Sequence, residues 1–112
     1  MKKIAVSSKE NGKVEHFGKC EYFLIYNYDE NNHTIEYENV IVSSKDYNGT
    51  EEWEKSANAI EGCDIVICGK IGMVAKANVD LMGIKVIEDE GTVENVLDNF
   101  INIETNKDNI IL

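Results

Sequence analysis

The stretch Cys63-Asp64-Ile65-Val66-Ile67-Cys68 constrains this chain more than any other. It is nearly unbroken apolar sequence, and segments of helical period flank it on both sides. A strand with apolar residues at almost every position must be covered on both faces, as central strands of parallel sheets are. Before it, Trp53, Ala57 and Ile60 fall at i, i+4 and i+7, one buried stripe of a helix. Thr50 is placed to cap that helix, Glu51 and Glu52 suit the positive end of its dipole, and Gly62 stops it. After it, Gly69 to Gly72 turns into a second helix, with Val74, Ala77 and Leu81 expected inward and Gly83 as the stop. Ile84 to Ile87 reads as a further buried strand. Thr92 caps a third helix carrying Val93, Val96, Leu97, Phe100 and Ile101 at helical spacing. Glu104 to Leu112 reads as a loose tail whose Ile110-Ile111-Leu112 could dock.

The amino-terminal half has a different grammar. Lys2 to Ser7 is a short strand running into a polar loop, Ser8 to Glu15. Glu21 to Tyr28 is β-rich, Asp29-Glu30-Asn31-Asn32 is a turn, and Thr34 to Val42 alternates as a hairpin partner. The order β-β-β-α-β-α-β-α implies an α/β fold with a mixed sheet: an antiparallel meander, then right-handed crossovers that add parallel strands. With 112 residues the chain has the size of one domain, read here as residues 1–103 followed by a tail, 104–112. No apolar run approaches the ~18 residues of a membrane span. Lys2 and Lys3 lead into too little apolar length for a signal peptide. Three cysteines without a leader argue for free thiols in a reducing, cytoplasmic setting.

The formal charge is −10, from 21 acids against 11 bases, all lysine. That opposes non-specific binding to nucleic acid or to an anionic membrane. Residues 1–20 run the other way, with Lys2, Lys3, Lys9, Lys13 and Lys19 against Glu10 and Glu15. This basic corner suits a compact anion, or is simply a solvated face.

In a sheet of this kind, ligands sit beyond the carboxyl ends of parallel strands, where the strand order switches direction. Two loops qualify: the one ending in His16-Phe17-Gly18-Lys19-Cys20, and Gly69-Lys70-Ile71-Gly72. His16 and Cys20 offer an imidazole and a thiolate, donors for soft or borderline metals. Gly18 between them allows the chain to fold the two toward one point. Lys19 would compensate an anionic guest and lower the pKa of Cys20. Two ligands cannot fill a tetrahedral zinc shell, but they could make one or two bonds to a preformed cluster. The plainer reading is a loop histidine packed on Phe17 beside an incidental thiol. Gly69-Lys70-Ile71-Gly72 opens the second helix, whose amides could receive an anion, and Lys70 and Lys76 add charge near the same crevice. Tight strand-to-helix packing explains these glycines equally well.

The remaining candidates point elsewhere. Cys63 and Cys68 lie five apart in one expected strand, which would send them to opposite faces as buried core residues. His33 falls in the hairpin turn, where a solvated role is the plain reading. Trp53 and Tyr22, Phe23, Tyr26 and Tyr28 read as core and sheet face. The first strand carries no aspartate for a nuclease metal, and neither a nucleophile elbow nor a Cys-x-x-Cys pair is present. Catalysis is not expected.

Glu15-His16-Phe17-Gly18-Lys19-Cys20 followed by Tyr22-Phe23-Leu24-Ile25-Tyr26 resembles the H-F-G-x-a-x-x-F-x-I-Y opening of the dinitrogenase iron-molybdenum cofactor biosynthesis family. That family includes the NifX and NafY carrier domains and the carboxy-terminal part of NifB. The resemblance continues through Trp53-Glu54, Ala59-Ile60, Cys63-Asp64, Ile71-Gly72, Gly83-Ile84-Lys85-Val86 and Gly91-Thr92-Val93, and covers residues 1–103. It implies a ribonuclease-H-like three-layer fold, with about three helices and no nuclease activity. It also implies binding of the iron-molybdenum cofactor, or its iron-sulfur precursor, for transfer between assembly proteins. His16 matches the motif histidine, and the Phe17-Gly18 turn shapes its pocket. A small residue such as alanine often stands where this chain has Cys20, so Cys20 is either an added ligand or a neutral local change. The radical-enzyme half of NifB, with its Cys-x-x-x-Cys-x-x-Cys, is missing, which excludes cluster synthesis.

The expectation is therefore a non-catalytic, cytoplasmic carrier, monomeric or weakly dimeric, for an iron-sulfur or iron-molybdenum cluster. His16, Phe17, Gly18, Lys19 and Cys20 form the site, with His16 and Cys20 as metal donors and cluster-assembly proteins as partners. The alternative is a regulatory or interaction domain of the same fold that binds a partner or small anion and no cluster.

Overall fold

The computed structural model describes residues 1–43 and 52–109, so the expected Thr50 cap, Glu51 and the docking of Ile110-Ile111-Leu112 lie outside the described residues. The chain runs β1 (Lys2–Ser8), a 3-10 turn (Phe17–Lys19), β2 (Tyr22–Asp29), β3 (Thr34–Val42), α1 (Glu52–Ala59), β4 (Ile65–Cys68), α2 (Met73–Leu81), β5 (Lys85–Glu88) and α3 (Val93–Asn109). The five strands form one sheet in the order β3-β2-β1-β4-β5. β1 pairs antiparallel with β2 and parallel with β4, with Ala5 opposite Val66, and β5 extends the sheet in parallel. This is the mixed α/β sheet expected from the element order, with the antiparallel meander at one side and the parallel crossovers at the other.

All four residues of β4 are buried, as the apolar run requires. Ile4 and Val6 of β1 and Ile65 and Ile67 of β4 face one layer, where they pack on Val93, Val96 and Phe100 of α3. Their alternates Ala5 and Val66, with Phe23 of β2, face the other, where they pack with Ala57 of α1 and Ala75 and Val79 of α2. Burying both faces of a sheet this small gives two apolar layers without any metal or disulfide staple, and all three cysteines are free.

Several local expectations are corrected. α2 turns a different face inward: Ala75 and Val79 are buried, whereas Val74 is 64% and Leu81 87% exposed, and Ala77 is exposed too. The helix carries two apolar stripes of equal periodicity, and only packing against the sheet chooses between them. Cys63 precedes β4 instead of lying in it, so strand alternation does not apply, and Cys63 and Cys68 face the same layer. The stretch expected as a loose tail from Glu104 is helical as far as Asn109. No glycine or proline interrupts residues 93–109 to end the helix earlier, and Lys107 pairs with Glu104 at 3.2 Å along it.

The alternation of β3 reverses midway. Tyr37 pairs with Tyr26 and Asn39 with Ile25, leaving Glu38 as an extra residue in the ladder. One inserted residue shifts the side-chain parity, so Ile35 packs toward α3 while Ile41 packs toward α1 and α2. The bulged Glu38 is held by Lys3 Nζ at 3.3 Å and by Asn27 Nδ2, which donates at 3.2 Å.

Candidate functional site

The site begins with main chain. Two loops leave the carboxyl ends of the neighbouring parallel strands β1 and β4 and are tied together by backbone hydrogen bonds. Gly69 N–H donates to Glu15 O at 3.0 Å, and Phe17 N–H donates to Lys70 O at 2.8 Å. These are the two loops that the sequence singled out, and they meet where the strand order changes direction. Phe17 is fully buried and packs on Phe23 with ring centroids 5.9 Å apart. Its carbonyl accepts from Ser56 Oγ of α1 at 2.7 Å. The 3-10 turn is thus pinned to the sheet, to the β4–α2 loop and to α1.

A cleft of about 780 Å³ opens beside this turn. His16, Gly18 and Lys19 line one side, Lys70, Ile71 and Gly72 the other, and the first turn of α2 and Trp53 close it. A methyl group placed on Gly69 would lie 3.5 Å from His16 Cδ2, so the imidazole rests against the start of the β4–α2 loop. His16 is otherwise exposed, at the mouth of the cleft. No side chain caps the amino end of α2, so its first amides are open on the cleft side. Lys19 and Lys70 are exposed, and neither has a carboxylate partner among the described residues. Among the described lining residues there is no carboxylate at all. An open helix amino end, two cations and an imidazole make a cleft that favours an anion and offers it one nitrogen donor.

His16, Phe17, Gly18 and Lys19 come together here, but Cys20 does not. It is 6% exposed, on the core side of the turn, with its thiol donating to Phe17 O at 3.3 Å and lying 3.7 Å from Ser56 Oγ. His16 and Cys20 flank the turn as its two extended end residues and leave it on opposite sides. Burial pushes the Cys20 thiol up to about 11, opposite to the lowering by Lys19 that the sequence suggests. Cys68 is pushed by burial to about 12, and burial raises Cys63 as well. Among the described residues no three of His, Cys, Asp and Glu gather around a point where a bare metal ion could sit.

The basic corner is dispersed. β1 separates Lys2 and Lys3 from Lys9, Lys13 and Lys19 by the length of a strand, roughly 20 Å. Lys2, Lys3 and Lys9 pair with Glu30, Glu38 and Glu15 at 3.9, 3.3 and 3.0 Å. The Glu15 carboxyl is held below its usual range, first by the His16 N–H that it accepts at 2.7 Å and then by Lys9. Of the first five lysines, Lys19 alone lines the cleft, joined by Lys70, while Lys76 stands exposed outside the lining. His33 sits in the β2–β3 turn at the far end of the sheet, with Nδ1 2.8 Å from Tyr28 OH.

The sequence reading missed Trp53, Met73 and Val74 as lining residues, taking Trp53 and Val74 for core. A topological signal was available. Helices that return antiparallel to parallel strands begin at the strands' carboxyl ends, so the first turns of α1 and α2 belong to the ligand side.

No helix among the described residues is long and apolar enough to cross a membrane. The chain is similar in fold to the apo form of the orange protein from Desulfovibrio gigas, at 24% identity and TM-score 0.67, covering 93% of this chain and 90% of that one. A NifB-like protein from Thermotoga is 26% identical with TM-score 0.53, covering 91% of this chain and 89% of that one. A dinitrogenase-like protein from Methanocaldococcus jannaschii is 26% identical with TM-score 0.60, over 92% and 90% of the two chains. No protein among the curated ones matches. The profile of the dinitrogenase iron-molybdenum cofactor family matches residues 1–103, the sheet, α1, α2, the first part of α3 and both loops of the cleft, and the chain belongs to that family.

Proposed function

We propose that this protein is a non-catalytic carrier that binds an anionic metal–sulfur cluster, of the iron-sulfur or iron-molybdenum kind, in the cleft beside the 3-10 turn. The observation that carries the reading is the lining: an exposed imidazole, two unpaired lysines and no carboxylate among the described residues. Carboxylates are what hard divalent ions require, and their absence disfavours such ions. A preformed cluster brings its own sulfides and needs few protein bonds. His16 is the donor, Lys19 and Lys70 supply counter-charge, and Phe17 and Gly18 hold the turn in place. Trp53, Ile71, Met73 and Val74 offer an apolar wall to the sulfide faces. Cys20 is left out of the ligand set. One imidazole bond and exposed lysines let cargo leave as readily as it enters, which is what transfer to and from cofactor-assembly partners demands. Family membership and the fold shared with NifB-like proteins support the class of cargo.

The test is anaerobic reconstitution of the purified protein with iron and sulfide, or with extracted cofactor, read by visible absorption and metal content. Wild type takes up cluster stoichiometrically, His16→Ala loses at least tenfold in affinity, and Cys20→Ala binds like wild type. Equal uptake by His16→Ala removes His16 as the donor. No uptake by folded wild type leaves the domain as an interaction module for a partner or small anion.

A further inference from the structure

α2 has a second apolar surface that the sheet does not use. Met73 is 88%, Leu81 87% and Val74 64% exposed, and Ala77 is exposed between them. Met73, Ala77 and Leu81 follow one another at intervals of four, which makes them a single ridge along the outer face of the helix. Lys76 and Asp80, also exposed and also four apart, run beside that ridge on one flank. This pattern complements itself. When two such helices lie antiparallel with Ala77 on the two-fold axis, Met73 of each falls opposite Leu81 of the other. The two charged flanks lie on the same side of the axis, so each Lys76 meets the Asp80 of the second copy. Alanine at the crossing lets the two backbones approach closely.

We propose that the exposed face of α2 is a homodimer interface in which two copies pack antiparallel about Ala77, with reciprocal Lys76–Asp80 pairs. A two-fold contact must be isologous, and a ridge with a small residue at its centre and opposite charges beside it meets that condition. Other surfaces fit a second copy less well. The edge strand β3 also exposes Tyr37, Val40 and Val42, but the bulge at Glu38 breaks its ladder and Glu36 adds a charge, both of which work against edge-to-edge pairing. A nine-residue helix buries well under the ~800 Å² per partner of a standard interface, so the dimer is weak and concentration-dependent. Met73 and Val74 also line the cleft, so Leu81 of the second copy rests on the cleft's lip. The interface itself does not depend on what the cleft holds.

Sedimentation of the cluster-free protein from low micromolar to millimolar concentration tests this, with circular dichroism to verify the fold of each variant. Wild type shifts reversibly from monomer to dimer. Ala77→Glu, which sets two carboxylates on the axis, and Leu81→Glu both stay monomeric at the highest concentration. Lys76→Glu weakens association at least fivefold, and Lys76→Glu combined with Asp80→Lys restores it. Wild type that remains monomeric throughout overturns the proposal. So does association that survives Ala77→Glu and Leu81→Glu, which places the contact elsewhere. Loss in the single charge variant without recovery in the double overturns the antiparallel arrangement.

Discussion

Cys20 donates its thiol hydrogen into the core while His16, at the other end of the same short turn, stands in solvent. The four-residue spacing was legible in the sequence, and so was the loop that carries it. Which way each side chain leaves the turn was not, because that depends on Ser56 of α1 and Phe23 of β2, which reach the turn from other parts of the fold. The buried thiols carry a stability prediction. In the unfolded chain they ionise at about 8.5, whereas in the folded protein Cys20 and Cys68 keep their protons to about 11 and about 12. Between these limits the folded state binds more protons than the unfolded one, so stability falls as pH rises. Urea melts from pH 8 to 10.5 should show this decline, with a shallower slope for Cys20→Ala combined with Cys68→Ala. Iodoacetamide at pH 8 should leave Cys20 unlabelled in the native protein and label it after denaturation.

At the scale of elements, the sequence revealed kind and order better than facing. β4 could be assigned because four buried residues in a row leave no other arrangement. α2 was assigned with the wrong side inward because Val74, Ala77 and Leu81 have the same spacing logic as Ala75 and Val79. β3 kept its place but not its parity, since a bulge writes no signature into an alternating sequence. Glu38 therefore makes a sharp test. Tyr37 and Asn39 already lie opposite consecutive residues of β2, so deleting Glu38 closes the ladder and leaves Ile35 and Ile41 on their present layers. The deletion loses only the Lys3 and Asn27 contacts, and thermal unfolding should fall by no more than about 5 °C for a domain of this size. Glu38→Ala, which keeps the extra residue and loses the same contacts, should fall by a similar amount. A much larger fall in the deletion alone would show that the bulge itself holds the two isoleucines in place.

The whole molecule builds two apolar layers around one sheet without a metal ligand group among its described residues. For the proposed carrier, folding and cargo binding are therefore separate events, unlike small domains that fold only around a metal. Chelator treatment of the protein as purified should leave its circular dichroism spectrum and melting temperature unchanged within error. A fall of several degrees would show that a metal contributes to the fold. The separation between fold and site goes further. The cleft's frame is made of main-chain bonds, Phe17 to Lys70 and Gly69 to Glu15, and side chains enter only as its lining. Exchanging residues 16, 19, 70 or 73 changes what the cleft prefers and leaves its position intact. Such a frame lets selection exchange one ligand preference for another by single substitutions, with no intermediate that fails to fold.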